Sequence, residues 1–146
     1  MSNRQTPHRR DTYRHFHTIT TRWMDNDAYG HVNNVVYYSW FDTVVNAYLV
    51  HKGVLDIEAS PAIGLVVETH CNYFSPLAFP QTIVAALRVG HIGSASARYE
   101  IGLFAEDAET ASAQGHFVHV YVDRNSRRAV PISAALRAVL EQIQAS

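Results

Sequence analysis

Between Val32 and Val50 the residues Val32, Val35, Val36, Trp40, Phe41, Val44, Val45, Tyr48 and Leu49 recur at spacings of three and four. That period predicts an α-helix. The stripe is broad and holds two large aromatics. It therefore predicts a helix buried on most of its circumference, with the rest of the chain wrapped around it. Asn33 and Asn34 are the expected caps at its start, and Gly53 the expected stop. The segment before it, Trp23-Met24-Asp25-Asn26-Asp27-Ala28-Tyr29-Gly30-His31, is polar and turn-rich and carries two carboxylates and a histidine. The chain thus delivers acidic groups to a helix N-terminus, where free backbone N–H groups and the positive dipole end favour a developing anion.

The remaining elements follow in order. Thr12 to Trp23 alternates and is rich in β-branched residues, which predicts a strand. Val54 to Ile63 reads as a loop and Gly64 to Phe74 as a strand. Ser75 to Pro80 is a two-proline break. Strands are expected over Thr82 to Val89, Ser94 to Phe104 and Thr110 to Val122, joined by short turns. Pro131 opens a short helix with Ile132, Leu136, Val139, Leu140 and Ile143 on one side. Hairpin-length connections imply an antiparallel sheet, and one helix on one face makes the class α+β. A five-stranded open sheet leaves an edge strand, and pairing with a second copy is the expected remedy.

The 146 residues, 47% hydrophobic and 17% charged, suffice for one domain spanning 1–146, with residues 1–11 expected as a flexible tail. A net charge of −1 gives no electrostatic footprint for nucleic acid or an anionic membrane. The single cysteine excludes an internal disulfide, no apolar run approaches a membrane span of roughly 20 residues, and the N-terminus lacks a signal-peptide core. The expected location is cytoplasmic.

Asp25 to Gly30 matches the opening of a calcium loop, but the bidentate Glu needed at its twelfth position is Val36 here. His116 and His119 are three apart in a strand and point to opposite faces, and His15 and His17 lack a third ligand, so no metal is expected. Cys71 reads as a small buried residue. Of the two carboxylates, Asp25 reads as a solvated turn or capping residue. Asp27, near a buried helix end, reads as a general base or nucleophile for acyl transfer, with His31 beside it in the chain. Backbone N–H groups at the helix start would hold the oxyanion.

The run Arg22 to Asn34, followed by Tyr37 and Tyr38, resembles the signature of the 4-hydroxybenzoyl-CoA thioesterase-like hotdog proteins. Tyr73-Phe74-Ser75-Pro76-Leu77, Gly93-Ser94-Ala95-Ser96, and Gly115 to Asp123 with Arg128 to Pro131 resemble later parts of the same family, over roughly residues 14 to 140. The resemblance implies a hotdog fold, a curved five-stranded antiparallel sheet around one central helix, and hydrolysis of acyl-CoA thioesters without a further cofactor. It implies that Asp27, His31 and Asn34 are catalytic, with the N–H near Asn34 polarising the thioester carbonyl. Tyr29, Gly30, Asn33, Tyr37, Gly93, Ser94, Arg127 and Arg128 are then the candidates for binding substrate. It also implies a homodimer that doubles to a homotetramer. Competing readings are a non-catalytic acyl-CoA-binding protein of the same fold, or a hydrolase of acyl-carrier-protein thioesters. A dehydratase is disfavoured because Tyr29 and Gly30 stand where its Asn-Pro would.

Overall fold

The structure is a computed structural model that describes residues 5–145. It contains β1 (His15–Thr20), α1 (Asn34–His51), β2 (Ala62–Tyr73), β3 (Thr82–Ile92), β4 (Ser96–Ala105), β5 (Ala113–Asp123) and α2 (Ala134–Glu141). The strands form one antiparallel sheet in the order β1-β3-β4-β5-β2. Since α1 connects the two edge strands β1 and β2, it must cross the sheet, and it does so on one face only. The α+β arrangement read from the hairpin-length connections is the one observed.

The helix starts where its sequence can cap it. Asn33 is extended, and its side-chain carbonyl accepts from the Val35 N–H at 3.1 Å. At the other end Gly53 adopts a φ of +75°, a left-handed conformation that glycine takes without a Cβ penalty. Phe41, Val44 and Val45 are fully buried, with Tyr37, Trp40, Tyr48 and Leu49 beside them. They meet Ile83, Leu87, Tyr99, Ile101, Leu103 and Phe117 of the sheet in one core. The burial is narrower than the apolar pattern predicts. Val35 is 67% exposed, and Val50 is exposed as well. One sheet covers one side of a helix, so the expectation of burial on most of the circumference is corrected to a single broad stripe.

The exposed side of α1 has a counterpart on the edge strand β2. Leu65, Val66 and Val67 are exposed, Val67 at 61%. The register of β2 on β5 slips between Val66 and Glu68, which marks a bulge there. Gly64, Val66, Thr69, Cys71 and Tyr73 stand opposite Tyr121, His119, Phe117, Gly115 and Ala113. They therefore share the sheet face that carries α1.

Several boundaries differ from the expected ones. β1 is shorter because single 3-10 turns, Arg10–Thr12 and Trp23–Asp25, occupy its two ends. β3 runs on to Ile92 through a register slip near His91, and β4 begins at Ser96. α2 begins at Ala134, after Pro131, because the Ser133 side chain caps the Leu136 N–H at 3.2 Å. Residues 8–10, expected within a flexible tail, are held to the sheet. The His8 N–H donates to Gln114 Oε1 at 2.6 Å, and the Arg10 guanidinium donates to the carbonyls of Ala105, Glu106 and Ala108 at the end of β4. Residues 1–4 of that segment lie outside the described residues. No described helix is long and apolar enough to cross a membrane.

Truncating Phe41 to Ala should cost about 3–5 kcal/mol, the usual loss for a large fully buried aromatic, measured as a shift in urea unfolding. A pH effect follows from three histidines. His8, His15 and His119 are each held below their ordinary value near 6.5, first by burial. Arg88 adds to the effect at His8, and His17, Lys52 and His51 add to it at His15. At His119 the charge of Asp42 pulls the other way. As pH falls through 6.5 the unfolded chain takes up protons that the folded chain refuses. Stability should be level above that pH and decline below it, and His119→Leu should flatten the decline in urea midpoints recorded against pH.

Candidate active site

The loop between β1 and α1 is organised by Asp25. Its side chain is 1% exposed. Oδ1 accepts from Arg22 Nε at 3.0 Å and from the second guanidinium nitrogen at 2.8 Å, and Oδ2 accepts the Arg22 backbone N–H at 2.7 Å. Its carbonyl accepts the Asn33 N–H at 2.9 Å. The structural reading of Asp25 stands, but the carboxylate is buried and paired where a solvated or helix-capping one was expected. Removing it leaves the Arg22 amide and guanidinium without their acceptor. Asp25→Ala should cost about 2–4 kcal/mol in thermal or urea unfolding, on the scale of several charge-assisted hydrogen bonds.

Asp27 sits differently. It is half-buried and backbone-anchored on both sides, its N–H donating to the His31 carbonyl at 2.8 Å and its carbonyl accepting the Gly30 N–H at 3.1 Å. Gly30 closes this turn at a φ of +82°, which a residue with a Cβ would adopt only with strain. The Tyr29 N–H donates to Asp27 Oδ1 at 2.8 Å, which orients the carboxyl group. Among the described residues no hydrogen bond reaches Oδ2.

The segment after β2 supports this loop from below. The Val32 N–H donates to the Leu77 carbonyl at 2.8 Å, the Phe79 N–H donates to Asn26 Oδ1 at 3.0 Å, and Trp23 packs edge-on against Phe79. Leu77 itself is fully buried. The two-proline break is therefore the shelf on which the motif loop rests.

A cavity of about 480 Å³ opens between the loop, the start of α1 and this shelf. Asp27, Asn34, Tyr37 and Tyr73 line it, together with residues 74–76. Asn34 is the first residue of α1, so its N–H is one of the donors that a helix leaves unpaired. The next two amides are taken, Val35 N–H by the Asn33 side chain and Val36 N–H by the Asn33 carbonyl. Tyr73 donates its hydroxyl to the Asn34 carbonyl at 3.4 Å. Burial pushes the Tyr37 phenol up, with a backbone hydrogen bond at Leu77 pulling down and the charges of Cys71 and Asp27 adding to the rise. Burial likewise raises the Cys71 thiol to about 11, so it is protonated at neutral pH and no nucleophile. The site thus places one oriented carboxylate and one helix-end amide around a space closed by two neutral phenols.

The other candidates divide. Asn33 acts as the helix cap. His31 and Gly30 are exposed, Tyr29 is 86% exposed, and none of the three lines the cavity. His31 contributes its carbonyl to the Asp27 turn. Gly93 and Ser94 lie at the β3–β4 turn, where the Gly93 carbonyl accepts from Arg137 at 2.7 Å and the Ser94 carbonyl accepts the Ile132 N–H at 2.8 Å. Arg127 and Arg128 are exposed in the turn after β5. These four stand at the far end of the sheet from Asp27, roughly 25 Å away along β5 for Gly93 and Ser94 and roughly 33 Å for the arginines at the usual rise per residue. Two further arginines, Arg88 and Arg98, are tied to Glu100 at 2.8 and 3.1 Å. Burial pushes the Glu100 carboxyl up, but the two guanidiniums outweigh it and hold it low. Tyr73 and residues 74–76 are the lining that a reading of catalytic residue types missed. Their signal was the tyrosine at a strand end three residues before a proline.

Comparison with known proteins identifies the family and the fold. Residues 21–140 match the model of the thioesterase-like superfamily, and the chain belongs to that family. The PA5185 protein of Pseudomonas aeruginosa strain PAO1 is similar at 52% identity over 97% of this chain and 99% of that one, with a TM-score of 0.94. The 1,4-dihydroxy-2-naphthoyl-CoA thioesterase Slr0204 of Synechocystis shares the fold at 12% identity, covering 86% and 93% of the two chains, with a TM-score of 0.78. The gentisyl-coenzyme A thioesterase BH1999 shares it at 21% identity, covering 86% and 99%, with a TM-score of 0.77. The fold is therefore the hotdog fold of thioesterases. A search of curated proteins finds no match.

Proposed function

We propose that this chain hydrolyses acyl-CoA thioesters at the cavity beside the N-terminus of α1. The observation that carries the reading is the pairing of the oriented Asp27 carboxylate with the Asn34 helix-end amide on one cavity. The acyl carbonyl oxygen takes the Asn34 N–H, where the helix dipole favours the negative charge that develops on attack. Asp27 Oδ2 either activates a water or attacks the carbonyl carbon itself. In the first case a tetrahedral intermediate forms and expels CoA thiolate. In the second the carboxylate displaces CoA thiolate to give an acyl-aspartyl anhydride, and water then cleaves that to the free acid and the regenerated carboxylate. Tyr37 and Tyr73, neutral at physiological pH, wall the site with aromatic surface. The relatives named for dihydroxynaphthoyl-CoA and gentisyl-CoA act on aryl thioesters, and that surface suits a ring as well as an aliphatic chain.

The working unit in this reading is a homodimer paired along β2, further assembled to a tetramer. The exposed Leu65, Val66 and Val67 and the open ladder of the edge strand support it. A two-fold axis through the middle of β2 sets the start of one strand beside the end of its partner. Gly93, Ser94, Arg127 and Arg128 then lie toward the partner's cavity, where the arginines suit CoA phosphates.

Asp27→Asn should keep the fold and CoA-ester binding and lose turnover by about a hundredfold or more. Thiol release measured across acetyl to palmitoyl, benzoyl and phenylacetyl CoA, with both proteins side by side, provides the test. Wild-type turnover that survives in Asp27→Asn would remove Asp27 from the mechanism. Saturable binding of esters with no turnover by wild type would favour the binding-protein reading.

A further inference from the structure

The face of the sheet away from α1 carries a row of four polar side chains that the proposed reaction does not use. Arg88, Glu100, His116 and His70 stand opposite one another on β3, β4, β5 and β2. They alternate along their strands with Ile101, Phe117 and Cys71, which pack toward the helix, so the row lies on the outer face. The side chains of Arg88, Glu100 and His116 are nonetheless only 15%, 20% and 14% exposed. Their cover is the chain's own N-terminal segment. Gln114, buried beside the row, accepts the His8 N–H and donates to the Thr6 carbonyl at 3.1 Å and to Gln5 Oε1 at 3.2 Å. Gln5 Oε1 also accepts from Asn72 Nδ2 at 2.9 Å. Between this strap and the row lies a cavity of about 360 Å³, with Arg88, Arg98, Glu100, His8, His70 and His116 in its lining. That is room for a small organic molecule and more than a single ion needs.

The charges and donors of the lining favour an anion. Glu100 accepts from Arg88 Nε at 2.8 Å and from Arg98 Nε at 3.1 Å. One carboxylate thus serves two guanidiniums, and the lining keeps a positive charge even with every imidazole neutral. A Cβ on Gly90 would stand 2.6 Å from Glu100 Oε2, so glycine there leaves the space in which the carboxylate meets both arginines. Arg88 is further fixed by the Thr12 carbonyl at 3.1 Å and by the Tyr13 ring, 4.7 Å from its guanidinium carbon. Among the described residues, both terminal nitrogens of Arg98 and one of Arg88 make no hydrogen bond. His70 and His116 stack at a centroid distance of 5.7 Å. Each commits Nε2 to the rim, to Asn72 Oδ1 at 3.0 Å and to Glu68 Oε2 at 2.7 Å, and among the described residues neither Nδ1 is engaged. Burial and then the charge of Arg88 hold the His8 imidazole low, against the pull of Glu100, so positive potential prevails at the strap as well. Planar guanidiniums with free terminal nitrogens match the paired oxygens of a phosphate or a carboxylate.

We propose that this outer cavity is a binding site for a small organic oxyanion, a phosphate ester or a dicarboxylate, held by Arg98 and Arg88 with His70 and His116 beside them. The site lies across the sheet from the Asp27 cavity, and it does not rest on the thioesterase reading.

Calorimetric titration of the full chain with inorganic phosphate, and separately with succinate, at constant ionic strength in chloride, tests the site. At least one probe should bind saturably, and the tighter of the two assigns the ligand to phosphate esters or to dicarboxylates. Arg98→Gln should raise the Kd of that probe by about tenfold, the scale of a lost hydrogen bond to a charged group. Arg98→Lys, which keeps the charge, should recover part of the affinity, which a loss of packing alone would not allow. Asp27→Asn should bind the probe as wild type does. In wild type the imidazole NMR signals of His8, His70 and His116 should move with the probe, and those of His31 and His51 should not. Binding that survives in Arg98→Gln and disappears in the Arg127→Gln/Arg128→Gln double variant would put the anion at the turn after β5 and overturn the assignment. No saturable binding of either probe would overturn it too, leaving the outer row a self-paired polar surface.

Discussion

The ion pair between Arg22 and Asp25 is local, three residues apart, yet it fixes the path of the chain from β1 to α1. Both carboxylate oxygens are committed, one to the guanidinium and the other to the Arg22 backbone amide. The Asp25 carbonyl then receives Asn33, the residue that caps α1. An acid without such partners would not stay at this depth, because the desolvation cost would exceed what a short loop can return. With the partners present, the helix start and the strand end are set relative to each other, and the turn carrying Asp27 hangs between two fixed points. The shelf from the two-proline segment then meets the loop through Leu77 and Phe79.

The site follows from a division of labour between two like groups. Asp25 and Asp27 are two residues apart, but one is closed off by its own neighbours and the other faces a cavity with one oxygen oriented and the second unclaimed. Asn33 and Asn34 show the same division. The first spends its side chain on the cap, and this occupies the Val35 amide and leaves the Asn34 amide at the helix mouth. Preorganised donors of this kind need no reorganisation when charge develops on a substrate oxygen, which is the source of their catalytic value.

Much of this was legible in the sequence because it is local. The three-and-four spacing from Val32 to Leu49, the asparagine caps, Gly53, the breaks between strands and the short closing helix each rest on neighbours within a turn or a hairpin. What was not legible depends on distant partners. Asp25 and Asp27 look alike until Arg22 is seen to wrap one of them. Val35 follows the core period but is exposed, because a single sheet covers only one side of the helix. The apolar run of β2 read as a strand, but its place at the edge of the sheet depends on the other strands. Gly93, Ser94, Arg127 and Arg128 belong to the opposite end of the sheet in one chain, a matter of topology that motif order does not encode. His119 was singled out only as a failed metal ligand, since its environment is assembled from α1, β2 and β5.

The exposed flank of α1 and the bare edge of β2 bear on how stability should be spoken of for this chain. Val35, Val50, Leu65, Val66 and Val67 keep apolar surface in water that another surface would remove. Whatever covers them binds the folded form and not the unfolded one, so its free energy adds to that of the fold. Where a second copy is that cover, as in the dimer proposed above, unfolding temperature becomes a property of a solution, rising with the amount of protein dissolved.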